Sequence, residues 1–290
     1  MGRELPVVRP RPLIFFFGDE TDWNHGSGQS SSIMNTAALV GLLATSATAH
    51  MMLHYPPTFA AENNPHRTGP VDPYLDNPYN CCGRKTVYPC RGYLDLLGTD
   101  QGRPVVSWEA GSSQNFSLTG TGTHWGGSCQ AGFSTDQGKT WKVVRSYEGN
   151  CPHREGSNQN PEEQTFDFKV PGDMPAGDHV FAWTWFNREQ EFFMTCASVT
   201  ITSSGNVGNT SQPRAFIPRG SSARPTPDDD KSPNVPFDQL PDFLVANTNN
   251  GCKTPRTNAE VKYPNPGPDV AKGDGAYPLE HPSPMDKCGA

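Results

Sequence analysis

The sequence predicts an all-β fold: an antiparallel β-sandwich of the immunoglobulin or fibronectin type III kind, with long loops and a disordered, Pro-rich C-terminal tail. Three observations lead there. About seven short apolar or alternating segments follow one another between residues 104 and 202. Turn residues separate them every 8–12 positions or so. Gly and Pro number 29 each in 290 residues, about a fifth of the chain against roughly 12% in average usage. That excess excludes a long-helix protein and favours short strands, turns and unstructured sequence.

The segments read in order as follows. Residues 105–108 (VVSW), 114–118 (QNFSL), 130–134 (QAGFS) and 141–147 (WKVVRSY) are rich in strand formers. Residues 165–170 (TFDFKV) alternate apolar and polar with period two, the signature of a half-buried strand. Residues 179–186 (HVFAWTWF) and 192–201 (FFMTCASVTI) are nearly continuous apolar runs. Between them lie Asp136-Gln137-Gly138, Pro171-Gly172-Asp173 and Pro175-Ala176-Gly177-Asp178, which carry turn chemistry. Residues 50–80 are rich in Pro, Asn and Tyr without a clear period and read as irregular but packed. The span 50–202 is long enough for one sizeable core.

The flanks differ in composition. Residues 1–33 read as an extension upstream of the true start, and 34–49 (MNTAALVGLLATSATA) as a signal peptide. Its apolar run is too short to span a bilayer, and Ala47-Thr48-Ala49 fits the small-x-small cleavage rule. Residues 203–236, holding SSGNVGNTSQ and RPTPDDDKSPNVP, read as a disordered linker. Residues 237–290 read as a small Cys-containing tail with its own apolar island (Phe237, Leu240, Phe243, Leu244, Val245), which either docks on the core or pairs Cys252 with Cys288. Eight cysteines without a CxxC pair point to disulfides in an oxidising compartment rather than to zinc. Eight allow 105 connectivities, and the sequence does not choose among them. Two glycosylation sequons, at Asn115 and Asn209, suit a secreted chain. With 23 basic residues against 30 acidic ones and no Lys/Arg cluster, a nucleic-acid partner has no support. We expect a monomer.

Cleavage after Ala49 would make His50 the first residue. A terminal amine and an imidazole on one residue chelate a metal through a six-membered ring, and neutral nitrogens in a plane suit Cu(II). The second ligand candidate is His124, in a loop framed by Gly122, Gly126 and Gly127, with Cys129 to pin it. Trp125 beside it offers a flat ring for the apolar face of a sugar. Adjacent Glu162 and Glu163 would point apart on an extended chain, so a glycosidase pair is rejected.

An N-terminal His after a leader, then YPCRGY (88–93), HWGGSCQ (124–130), NCP (150–152), FAWTWFN (181–187) and REQEFFMTCASVTI (188–201), resembles the fungal lytic polysaccharide monooxygenases. The likeness is greatest to auxiliary-activity family 11, the chitin-active group, and spans about 50–202. The resemblance implies one copper ion in a histidine brace, with His50 giving its amino nitrogen and Nδ1 and His124 its Nε2. It implies an external electron donor, dioxygen or hydrogen peroxide as co-substrate, and oxidative cleavage of an insoluble polysaccharide, chitin foremost. Glu191 matches a family carboxylate near the copper. Phe193 stands where the family has an axial Tyr, so no phenol would reach the metal. The rival reading is a non-catalytic copper- or chitin-binding module on the same fold.

Overall fold

The computed structural model describes residues 50–205 and 235–288. The leader, most of the expected linker and Asn209 lie outside the described residues. Eleven strands form among the described residues: β1 (Met51–Tyr55), β2 (Ser107–Glu109), β3 (Ser113–Gly120), β4 (Ser128–Ser134), β5 (Lys142–Glu148), β6 (Thr165–Lys169), β7 (Gly177–Phe186), β8 (Phe192–Thr202), β9 (Glu260–Val261), β10 (Val270–Lys272) and β11 (Leu279–Glu280). A three-stranded sheet, in the order β1-β3-β6, faces a six-stranded sheet in the order β10-β5-β4-β7-β8-β2. The fold is a β-sandwich.

The core between the sheets is aromatic. Phe116, Leu118, Phe166 and Phe168 project from the small sheet, and Phe133, Phe181, Trp183, Trp185 and Phe193 from the large one. Phe181 is fully buried, with ring centroids 5.2–6.0 Å from Trp108, Phe116, Phe133 and Phe168. Burying one such ring contributes about 1.5–3 kcal/mol. The large sheet is buried on its other face too. There Val180, Ala182, Phe186, Phe192, Met194 and Cys196 meet Phe59 and Tyr79 from the N-terminal loops and Phe243, Leu244, Val261 and Tyr263 from the C-terminal segment. Coverage on both faces is why β7 and β8 read as continuous apolar runs rather than alternating ones.

The C-terminal segment is latched by polar groups as well. Leu244 N donates to Gln130 Oε1 (2.9 Å), and Tyr263 N to Glu148 Oε1 (2.9 Å). Four disulfides join Cys81–Cys82, Cys90–Cys196, Cys129–Cys151 and Cys252–Cys288. Among the described residues, no helix is long and apolar enough to cross a membrane.

Three expectations need correction. The C-terminal tail is not disordered over residues 235–288, which supply β9, β10 and β11 and bury Phe243, Leu244, Val261 and Tyr263 against the large sheet. Residues 51–55 form a strand, not irregular loop, because β3 supplies a pairing partner far along the chain, Met51 opposite Gly120. The sandwich is also not purely antiparallel. β2 pairs with β8, and β10 with β5, in parallel, as edge strands delivered by long connections.

Candidate metal centre

The small sheet brings His50 to one edge of the sandwich. His50 immediately precedes β1 and is buried, with 7% exposure. Its carbonyl accepts from Thr121 N (2.8 Å) and Gly122 N (3.3 Å), and its own N donates to Thr121 Oγ1 (3.1 Å). The approach is tight: a Cβ on Gly120 would lie 2.0 Å from the His50 carbonyl oxygen, so only glycine fits there. Burial holds the His50 imidazole below its ordinary value, while the Asp76 and Glu191 carboxylates and the Asn77 side chain oppose that shift. A neutral ring is the form that binds a metal.

His124 reaches the same place from the β3–β4 connection. Residues 124–127 all have positive φ: 46°, 57°, 97° and 124°. Two of the four are not glycine, and such backbone persists only where its surroundings over-determine it. Trp185 Nε1 donates to Gly126 O (3.1 Å), Gly127 O accepts from Cys151 N (3.1 Å), and the Cys129–Cys151 bridge closes the base. Gly127 leaves no alternative, since a Cβ there would lie 2.3 Å from Phe186 O.

The His50 and His124 rings lie side by side, centroids 6.1 Å apart. Beneath them Phe193, on β8 and 1% exposed, sits 6.1 Å from His50 and 6.5 Å from His124. It stacks at 4.3 Å on Trp185. Glu191 stands just before β8, its Oε2 3.5 Å from His124 Nε2. Thus His50, His124, Glu191 and Phe193 converge. Trp125 points outward beside them, 58% exposed.

Several residues of this centre were not singled out by the sequence. Glu189 Oε1 lies 3.1 Å from His124 Nδ1. A carboxylate beside Nδ1 is placed to accept a proton from that nitrogen, an arrangement that would leave Nε2 for a metal. Asn187, 1% exposed, organises both carboxylates. Its Oδ1 accepts from Glu189 N (2.9 Å) and Glu191 N (3.0 Å), and its Nδ2 donates to Glu191 Oε2. The available signal was the ends of FAWTWFN and REQEFF, where polar residues interrupt two apolar runs.

The donor set fits a copper ion. His124 Nε2 is buried without a hydrogen-bond partner, and the Glu191 carboxylate faces it across 3.5 Å. A cation satisfies both. His124, Glu189 and Glu191 offer ligand atoms within 4.8 Å of one another.

No family model matches the chain. It is 33% identical over 226 residues to AA11 family lytic polysaccharide monooxygenase A of Aspergillus fumigatus (strain CBS 144.89 / FGSC A1163 / CEA10), spanning 77% of this chain and 85% of that one. The chain belongs to the AA11 family of lytic polysaccharide monooxygenases. A second AA11 relative, monooxygenase B of A. fumigatus (strain ATCC MYA-4609 / CBS 101355 / FGSC A1100 / Af293), is 28% identical over 85% of this chain and 54% of its own length. A third, from A. oryzae (strain ATCC 42149 / RIB 40), is 29% identical over 80% of this chain and 49% of its own. This AA11 chain thus spans about half the length of those two. Among solved structures, a cellulose-active polysaccharide monooxygenase from M. thermophila matches 37% of this chain and 56% of its own (TM-score 0.28, 14% identity). A chitin binding domain from Burkholderia pseudomallei matches 53% and 99% (TM-score 0.33, 12% identity).

Proposed function

We propose that this AA11 protein is secreted, is cut after Ala49, and uses a copper ion held by His50 and His124 to cleave glycosidic bonds of crystalline polysaccharide, chitin foremost. The observation that carries the reading is the pairing of the two histidine rings over the apolar Phe193 floor. His50 would supply its freed amine and Nδ1, and His124 its Nε2. A copper ion held there would, with an external electron donor, supply the chemistry that activates dioxygen or hydrogen peroxide.

The chain's own groups do the rest. Glu189, its Oε1 3.1 Å from His124 Nδ1, would orient the ring by accepting from that nitrogen and leave Nε2 to the metal. Phe193, buried against both histidine rings, offers no ligand atom and would keep water from that side. Glu191, held by Asn187, offers a carboxylate 3.5 Å from His124 Nε2 that could accept or return a proton there. Trp125, the large exposed ring at the rim, would lie on the apolar face of a sugar.

The test begins with N-terminal sequencing of the secreted protein, which should start at His50. Copper-loaded protein is then incubated with ascorbate on chitin, cellulose and starch, with mass spectrometry of the soluble products. Oxidised chito-oligosaccharides are expected, and His124→Ala should yield none. Tight copper binding with no oxidised product on any of the three would favour the non-catalytic module instead.

A further inference from the structure

The 254–281 part of the chain lies far in sequence from His50 and His124, yet it touches the His124 loop directly. Glu260 opens β9 and is 2% exposed. One oxygen, Oε1, accepts from Gly127 N (2.9 Å), Asn150 N (3.1 Å) and Arg154 Nη2 (3.0 Å). Arg154, from the connection after Cys151, also donates through Nη1 to Trp125 O. Its remaining donors form a fork with Asp274, Nε to Oδ2 at 2.8 Å and Nη2 to Oδ1 at 2.9 Å. Tyr277 lies under the guanidinium at 4.8 Å. Space is tight here too, since a Cβ on Gly126 would lie 2.8 Å from Glu260 Oε1.

Four successive positive φ values need outside constraint. Two of the loop's backbone groups, Trp125 O and Gly127 N, are bound by the Arg154–Glu260 pair. The other supports described above act at Gly126 and Gly127. Trp125 O, one peptide from His124, is held by Arg154 from outside the sandwich.

We propose that Glu260, acting through Arg154 and the Gly127 amide, is a positioning residue for His124 and Trp125. The C-terminal segment thereby becomes part of the metal centre's support. The inference rests on the reading that His124 binds copper. Outer-shell partners of a metal ligand commonly affect affinity by about 10–100-fold when removed.

The test uses the whole secreted chain beginning at His50. Glu260→Gln keeps an acceptor for the two amides and removes the charge that Arg154 needs. Cu(II) affinity by calorimetry and the Cu(II) electron paramagnetic resonance spectrum are the readouts, with the Tm of copper-free protein alongside. Glu148→Gln serves as the control, because Glu148 binds the same segment at Tyr263 N and Lys272 without touching residues 124–127. Glu260→Gln should weaken Cu(II) binding roughly tenfold or more and alter the spectrum. Glu148→Gln should lower Tm and leave both copper readouts as in the parent. If Glu260→Gln does not fold, Arg154→Lys decides, with a smaller change of the same direction expected. Parental affinity and spectrum in the folded variant, or equal changes in Glu148→Gln, overturn the proposal. His124→Ala separates the two levels. Retained copper binding there overturns the brace itself, whereas loss there with a silent Glu260→Gln overturns only the role given to Glu260.

Discussion

The floor of the candidate metal centre and its rim are built by different means. The floor is β7 and β8, whose ten paired positions from Gly177↔Ile201 to Phe186↔Phe192 satisfy the backbone by a regular ladder and leave the side chains free to pack. The rim is irregular backbone at 72–80, 121–127, 150–154 and 187–191. There side chains satisfy the backbone one group at a time: Asn187, Glu260, Arg154 and Trp185 each bind main-chain atoms. A ladder tolerates exchange of side chains, whereas a rim held by single side chains loses its shape when one is removed. Stability should therefore reside in the floor and metal geometry in the rim.

The sharpest way to test this contrast is to damage each part alone. Phe181→Ala, in the floor, should destabilise the chain by about 3–5 kcal/mol in denaturant unfolding. A loss below 1 kcal/mol would mean the aromatic cluster is not the main store of stability. Glu189→Ala, in the rim, should do the reverse. Its side chain is 64% exposed, so unfolding should shift by no more than about 0.5 kcal/mol. Cu(II) affinity should fall about tenfold, read by calorimetry.

The sequence showed the floor far better than the rim, and the reason is range. β7 and β8 were visible because their apolar runs and the turns before them are local signals. β1 was missed because MMLHY follows no turn signal and precedes Pro56. The parallel edge strands β2 and β10 depend on partners far away in the chain. His124 could be found from its glycine frame and family motif. Glu260 and Arg154 could not, since Glu260 bonds to a residue 133 positions away and to another 106 away, and no local pattern encodes such pairs.

Smaller effects sharpen the boundary between the two parts. His153 stacks on Phe166 at 4.3 Å, and burial holds its imidazole below the ordinary 6.5. Above that pH the ring is neutral in both folded and unfolded chains, and its stabilising contribution is complete. As pH falls below 6.5 the unfolded chain takes up the proton first, so stability is lost on acidification. His153→Gln should flatten the fall in Tm between pH 7 and 5. The fall should not vanish, because burial also lowers His54 and His50. An unchanged slope would show that the ring is solvated. Trp125→Ala should have the smallest effect on folding, within about 0.5 kcal/mol, and should reduce retention on chitin beads. Full retention would remove Trp125 from the substrate face.

The disulfides fall into two sets that do not cross. Three of them lie within residues 81–196, and the fourth, Cys252–Cys288, joins the C-terminal segment only to itself. No bridge therefore ties that segment to the sandwich. A single protease cut between residues 206 and 234 would leave a two-fragment complex held by apolar packing, the β10–β5 pairing and the Glu260, Glu148 and Gln130 contacts. Such a complex should stay together in buffer and fall into two pieces in denaturant without any reductant. The reconstitution of copper binding from the separated fragments would then be a direct assay of how much of the centre the second fragment carries.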